Sequence, residues 1–426
     1  MVRTRWLSRK NSGRVRGLGL MSTVAAAALL VAACSPGGGT QSGSSGAGAP
    51  AKASEVRLGV ILPLTGATAQ NGNNARKGTE LAAELINQAG GIKSMGGATI
   101  KLDVVDSTSD ATEAANKATQ FLTQGTPPLA IMGAYASGLT VTVAQVTERQ
   151  RVPLLTTAFS DELTSKGYKF LFQLPAKASV VGQAQMQYAV DIAKSAGVDL
   201  KRAAVVYANN AYGQSQAKGL LDQANSMKLE VVLEESYAET ITDAGPVAQK
   251  ILASNPDAIF SVAYVTDGVL LMRALRAAGS TIPVIGGVGG YITPDFKNSL
   301  GDLVNGVLSV DTSDPDKYGD FGKAYEAKYN ELTPQEAHDS AAAVYVFAQA
   351  LENKPTTDPR ALADELHSGT YDLGAAGSMP GGKVKFDETG ANTFAKPLMV
   401  QWQEGRLVGV WPPDLVSKKP IWQATH

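Results

Sequence analysis

The stretch VRLGVILPLTGATAQNGNNARKGTELAAELINQAGGI, residues 56–92, holds the first structural unit of the chain. Its apolar run Val56–Leu64 predicts a strand. Leu81, Leu85 and Ile86 stand at helical spacing within Asn74–Ala89, and Gly90-Gly91 is a C-terminal stop signal. Downstream the same alternation returns. Ile100, Leu102 and Val104 alternate like a strand, and Asp110 with Glu113 resembles a capping box opening a helix through Ala118, Phe121 and Leu122 to Gly125. Leu129–Gly133 and Val152–Thr157 predict two more strands, separated by a helical Thr140–Arg149.

The rhythm repeats after Pro175. Strands are predicted at Ala203–Tyr207, Leu229–Glu234, Ala258–Ala263 and Pro283–Gly286, and helices at Val180–Ser195, Gln214–Met227, Pro246–Ala253 and Gly268–Ala278. Helices at Tyr318–Leu332, Ala337–Leu351 and Pro359–Leu366 follow, then a β-rich stretch from Lys383 to Trp411 with turns at Gly390 and Gly405. Repeated strand–helix units at this spacing imply parallel sheets covered by helices on both faces. Two sets predict an α/β chain with two doubly wound lobes. In open parallel sheets ligands bind outside the carboxyl ends of the strands, so the residues just after each strand are the candidates.

Six of the 38 Lys+Arg and none of the 39 Asp+Glu precede Cys34, so the remainder carries 32 basic against 39 acidic residues, a net charge of −7. That balance argues against a nucleic-acid partner, which calls for a basic patch. With 44% hydrophobic and 18% charged residues the chain is globular, and the 393 residues from Cys34 onward exceed one ordinary core. The first 33 residues have the layout of a signal peptide: Arg3, Arg5, Arg9, Lys10, Arg14 and Arg16, then an apolar Leu18–Ala33, shorter than the about 20 residues of a membrane span. Val31-Ala32-Ala33-Cys34 resembles the bacterial lipobox, whose cysteine is acylated and becomes the new N-terminus. Residues 35–54, SPGGGTQSGSSGAGAPAKAS, suit a flexible tether. The expectation is an extracytoplasmic protein leashed by Cys34 to the outer face of a cell membrane, with a leader of high-GC Gram-positive character.

Signatures of catalysis are sparse. One cysteine excludes disulfides within the chain, and three histidines, His338, His367 and the terminal His426, are scattered. No phosphate loop, HExxH or GxSxG in a strand–turn–helix setting occurs. Gly286-Gly287-Val288-Gly289-Gly290 lacks the dinucleotide spacing and reads as a flexible bend. Asp161-Glu162 and Asp267 near helix starts read as dipole and capping residues. Binding without catalysis, metal or cofactor is the expectation.

Several blocks then carry a family resemblance: Leu64-Thr65-Gly66 and Asn87-Gln88-Ala89-Gly90-Gly91-Ile92 in the opening unit, VPLLTTAFSDELTSKGYKFLFQLPA (152–176), AVVYANNAYGQSQAKGL (204–220) and GKVKFDETG (382–390). Together they resemble the solute-binding proteins of ABC importers, in the branched-chain amino acid and amide group, over residues 55–412. The resemblance implies a periplasmic-binding-protein type 1 fold, two lobes joined by a three-strand hinge with crossovers near Leu174–Lys177, Ser309–Thr312 and Ala375–Pro380. It divides the chain into the leader 1–33, the lipidated Cys34 with linker 34–54, lobe 1 at 55–174 plus 312–374, and lobe 2 at 175–311 plus 375–426. It implies a monomer that delivers a small molecule to an ABC permease with cytoplasmic ATPases. A ligand-sensing partner of a membrane signalling protein shares the same features.

The family's contacts transfer one position at a time. Ser137, whose hydroxyl and backbone N–H would hold a ligand carboxylate or amide, is otherwise a turn or N-cap serine. Ala158 matches a backbone contact; where amino-acid binders have a threonine this chain has Phe159, flanked by Thr157 and Ser160. Phe159 either lines an apolar ligand surface or packs between lobes. Tyr212 and Tyr264 match lid tyrosines of the second lobe, or are structural. Asn71 stands where an aromatic is often found. The acid that meets a ligand ammonium is matched by Val288, which cannot serve, and Asp267 substitutes only with a different loop geometry. Since a buried ammonium without a counter-charge is costly, the resemblance leaves an amide, an aromatic or aliphatic acid, or another small polar metabolite as fitting comparably well.

Overall fold

The computed structural model describes residues 53–416 and 418–422. The basic leader, Cys34 with its lipobox, the linker up to Lys52 and His426 lie outside them. The first half runs β1 (Glu55–Leu62), α1 (Ala69–Gln88), β2 (Thr99–Asp106), α2 (Ala111–Thr123), β3 (Ala130–Gly133), α3 (Ser137–Gln150), β4 (Leu154–Thr156), β5 (Leu171–Gln173). It continues α4 (Ala178–Ser195), β6 (Arg202–Ala208), α5 (Ala211–Met227), β7 (Glu230–Tyr237), α6 (Gly245–Ser254), β8 (Ala258–Val262), α7 (Val265–Ala277), β9 (Val284–Gly286), α8 (Pro294–Leu300), β10 (Leu308–Asp311). The last elements are α9 (Gly319–Tyr329), α10 (Gln335–Asn353), α11 (Pro359–Ser368), β11 (Leu398–Gln403) and β12 (Arg406–Trp411).

Two sheets organise these elements. The first is five-stranded, in the order β2-β1-β3-β4-β5, and every pair in it is parallel. The second is seven-stranded, in the order β12-β11-β10-β9-β8-β6-β7. Each sheet's first strand lies inside it, flanked by the next two: β1 between β2 and β3, β6 between β7 and β8. The strand order therefore reverses at β1/β3 and at β6/β8, the places where an open α/β sheet leaves a crevice. Leu58, Val60 and Ile61 of β1 are fully buried, as befits a strand covered on both faces. Helices α1 and α10 pack together on the first sheet's side, and α4 packs with α5 on the second's.

Most predicted elements are present, with shifted ends and four corrections. Helix α1 begins at Ala69, so Asn71, placed by the sequence near a loop, lies in its first turn. The second sheet is not wholly parallel, because β11 runs antiparallel to both β10 and β12. The expected β-rich stretch from Lys383 is regular only from Leu398; before it, Val384 and Phe386 make isolated bridges to Tyr371 and Asn392. The three-residue β5, the four-residue β10 and the short α8 were not predicted as elements. The capping reading of Asp110 is confirmed: its carboxylate accepts the Glu113 backbone N–H at 2.8 Å. Among the described residues no helix is long and apolar enough to cross a membrane.

Candidate functional site

The carboxyl ends of both sheets bring the sequence candidates together. Ser137 opens α3 just after β3, and Thr157, Ala158 and Phe159 follow β4. From the second sheet, Tyr212 sits in the first turn of α5 after β6, Tyr264 precedes α7 after β8, and Val288 follows β9. All seven are buried.

Their polar groups are largely engaged within the chain. The Ser137 hydroxyl oxygen accepts the backbone N–H of Phe159 at 3.3 Å and of Ser160 at 3.1 Å, tying the start of α3 to the loop after β4. The Ala158 N–H donates to Thr156 Oγ1 at 3.1 Å and its carbonyl accepts the Gln173 side-chain amide at 2.9 Å. The Phe159 carbonyl accepts the Ala178 N–H at 2.7 Å, at the point where the chain leaves for α4. The Tyr212 hydroxyl donates to the Val288 carbonyl. The glycine-rich bend is packed: a Cβ on Gly286 would lie 2.4 Å from the Tyr291 ring. The Tyr291 ring requires a glycine at 286, the Ala263 carbonyl 2.5 Å from a Cβ requires one at 290, and Gly289 takes a φ of 95°.

Aromatic rings from both sides meet in a row. Phe159 lies 6.0 Å from Tyr212, Tyr212 lies 5.4 Å from Tyr264, and Tyr264 lies 6.2 Å from Tyr135, centroid to centroid. Tyr135, absent from the sequence candidates, stands in the turn before α3 with a positive φ of 62°. Burial pushes the hydroxyls of Tyr135, Tyr212 and Tyr264 well above the ordinary tyrosine value. For Tyr264 the Ser137 backbone N–H pulls the other way.

Glu336 is the second residue missed by the sequence reading. It lies in the first turn of α10 and is 0% exposed. Its Oε1 accepts the Asn71 amide at 2.6 Å and the Tyr135 hydroxyl at 3.3 Å, while Oε2 has no partner. The same Asn71 nitrogen donates to the Gly289 carbonyl at 2.8 Å. Burial pushes the Glu336 carboxyl up to about 8, against its own backbone N–H and the Asn71 amide. Asp295 and Asp339 add to the negative potential around it. The start of α10 is held by Gln335, whose amide donates to Asp339 and, at 3.4 Å, to Thr312 Oγ1. A second buried acid, Asp267, accepts the Tyr237 hydroxyl at 2.9 Å, and burial pushes it up to about 7.

The two sides are in contact around this cluster. Asn74 of α1 donates to Asp295 of α8 at 2.9 Å, Ser160 and Ser215 hydroxyls lie 3.2 Å apart, and the Ser179 N–H of α4 donates to Asp161 at 2.9 Å. His338, one of the three scattered histidines, is fully buried beside Tyr318 at 4.3 Å, with its ring nitrogens on Ser313 at 3.2 Å and Ser378 at 2.7 Å. Among the described residues no three His, Cys, Asp or Glu side chains are grouped to hold a metal ion.

A family described as periplasmic binding protein matches residues 55–406. The Leu/Ile/Val-binding protein homolog 8 of Brucella abortus is 28% identical over 380 residues, covering 86% of this chain and 92% of that protein. Among solved structures, the branched-chain amino acid transporter substrate-binding protein LivJ from Streptococcus pneumoniae, in complex with isoleucine, superposes with a TM-score of 0.74 at 24% identity. That match covers 84% of this chain and all of the other. An ABC-transporter solute-binding protein of R. palustris in complex with benzoate gives 0.73 at 18% identity, over 83% of this chain and 95% of that one. At these identities the structural likenesses establish the fold.

Proposed function

This chain belongs to the periplasmic binding protein family, and from that premise we propose that it captures a small polar or amphipathic metabolite between its lobes and hands it to an ABC permease. The observation that carries the reading is the meeting of Tyr135 and Phe159 from the first sheet with Tyr212 and Tyr264 from the second, at the carboxyl ends of both sets of strands. An aromatic lid suits a binder: its rings cover the ligand and its hydroxyls find polar groups. Lobe 1 is read as residues 55–174 plus 312–392 and lobe 2 as 175–311 plus 393–426, because Val384 bridges Tyr371 and Ala391 bridges Gln173 of the first sheet, with closure a rotation about three crossovers. Ligand contacts drawn from both lobes stabilise the closed arrangement, and a difference of a few kcal/mol is enough to shift it. The chain binds its ligand without turning it over, the energy for import coming from the transporter's ATPases. Cys34 is the lipid anchor, and residues 35–54 the tether that lets the lobes reach the permease at the outer membrane face.

The test is native mass spectrometry of the purified protein followed by a thermal-shift panel of small metabolites. A bound small molecule, and a rise in melting temperature on adding it back, are expected by linkage. Weakening of that binding by Tyr212→Ala places it in the cleft. Binding untouched by Tyr212→Ala and Tyr264→Ala together overturns the assignment.

A further inference from the structure

Resting on the cleft reading above, we propose that the site is built for a ligand with a cationic nitrogen head, a protonated amine or a quaternary ammonium, with Glu336 as its counter-charge and Tyr135, Tyr212 and Tyr264 as its aromatic walls.

The first support is the state of Glu336. It is wholly buried, makes no ion pair among the described residues, and has one oxygen without a partner. Ionising it there without a counter-charge is costly, so the acid keeps its proton until a cation at Oε2 takes the proton's place. The second is its surroundings. Tyr135 is both a ring of the aromatic row and a donor to Glu336, so acid and rings form one cluster. A cation within about 6 Å of such rings is attracted to their faces. The third is the company of other acids. Asp295 and Asp339 raise the Glu336 carboxyl further, a field that repels an anionic head and favours a cationic one.

The inference also reverses what Val288 implied. The glycine-rich loop of this chain holds no acid, but its Gly289 carbonyl shares the Asn71 amide with Glu336. A carboxylate from α10 is thus linked to that loop through Asn71. Asp267 is the competing acid. It already accepts the Tyr237 hydroxyl.

A proton accompanies the binding. With its carboxyl held near 8 by burial, Glu336 is largely protonated at pH 7, and a cation beside it expels that proton. The groups facing it are Asn71 from α1, Tyr135 from the turn before α3, Tyr212 from α5, Asp295 from α8, Asp311 at the end of β10, Tyr318 and Tyr325 at and in α9, and Asp339 on α10.

The experiment uses the full chain, with native mass spectrometry to identify co-purified ligand and calorimetry with two pairs matched in shape and differing in the cationic nitrogen. The pairs are choline against 3,3-dimethylbutan-1-ol, and L-leucine against 4-methylpentanoate. Each titration is run in two buffers of different ionisation enthalpy, on wild type, Glu336→Gln, Glu336→Asp and Asp267→Asn. The expected result is that a cationic member binds at least tenfold more tightly than its partner and releases protons. Glu336→Gln loses both the tenfold preference and the proton release, while Glu336→Asp and Asp267→Asn keep the preference. A neutral or anionic member that binds as well, or a co-purified ligand without a cationic nitrogen, overturns the inference and leaves the cleft standing. Loss of preference in Asp267→Asn alone moves the counter-charge to Asp267 and overturns the role of Glu336. No co-purified ligand and no binding by any probe overturns the cleft as well.

Discussion

Replacing Glu336 by glutamine is expected to stabilise the ligand-free protein, by an amount that grows with pH. The native carboxyl sits at about 8 because of burial, against the ordinary 4.5 in an unfolded chain. The folded state therefore holds its proton more tightly than the unfolded state. The stability contributed by this group is fully present below pH 4.5 and is lost as pH rises through about 8. The interval corresponds to a ceiling of about 5 kcal/mol, of which about 3 kcal/mol is gone by pH 7. Glutamine keeps an oxygen for the Asn71 amide and the Tyr135 hydroxyl and cannot ionise. Asp267, also raised by burial, titrates at lower pH in both proteins and cancels from the difference. Urea denaturation of wild type and Glu336→Gln at pH 5, 7 and 9 reads this directly as a midpoint separation at constant slope. A separation that stays flat across that range would refute the reasoning, because it would mean that Glu336 ionises in the folded protein as easily as in the unfolded one.

Three other outcomes follow from single positions. Cys34→Ser is expected to release the protein from membranes once its leader is cleaved, as read by fractionation of cells; retention would contradict the anchor. Ser137→Ala removes the acceptor of two buried backbone N–H groups, so a stability loss of about 1–3 kcal/mol is expected in denaturant titration alongside any change in affinity. Gly78→Ala would put a Cβ 2.0 Å from the Ala337 carbonyl oxygen, where α1 meets α10. Overpacking of about 1–3 kcal/mol outweighs the about 1 kcal/mol gained in helix propensity, giving a net fall in melting temperature and a displaced Glu336.

The strand–helix alternation was legible because long periodic segments such as Val56–Leu62 and Leu81–Ile86 carry their signal locally. Leu171–Gln173 and Leu308–Asp311 are too short for periodicity to register, and they are strands because neighbouring strands pair with them. The expected sheet at 383–392 failed for the opposite reason: its alternation is real, but Val384 and Phe386 find isolated partners and not a ladder. In the site, Ser137, Tyr212 and Tyr264 were singled out because each follows a strand end, Tyr212 also within a matched block. Glu336 could not be found this way. In Pro334-Gln335-Glu336-Ala337 it is an ordinary first-turn acid, and only the folded chain sets it against Asn71, 265 residues away. Tyr135 was overlooked beside Ser137, since its importance lies in a backbone turn that carries its hydroxyl to Glu336.

The packing of α10 on α1 bears on how the polypeptide must be made. Every strand of the first sheet has been synthesised by Gln173, yet the helix that closes over α1 arrives only at Gln335–Asn353. Between those points a growing chain has a complete sheet with one face of its first helix bare, awaiting a backbone contact as close as Gly78 against Ala337. A fragment ending after β5 is thus expected to aggregate, and the nascent protein to need a holding chaperone until its last third emerges. Anyone seeking to produce the first sheet as a separate piece would have to graft α10 back onto it.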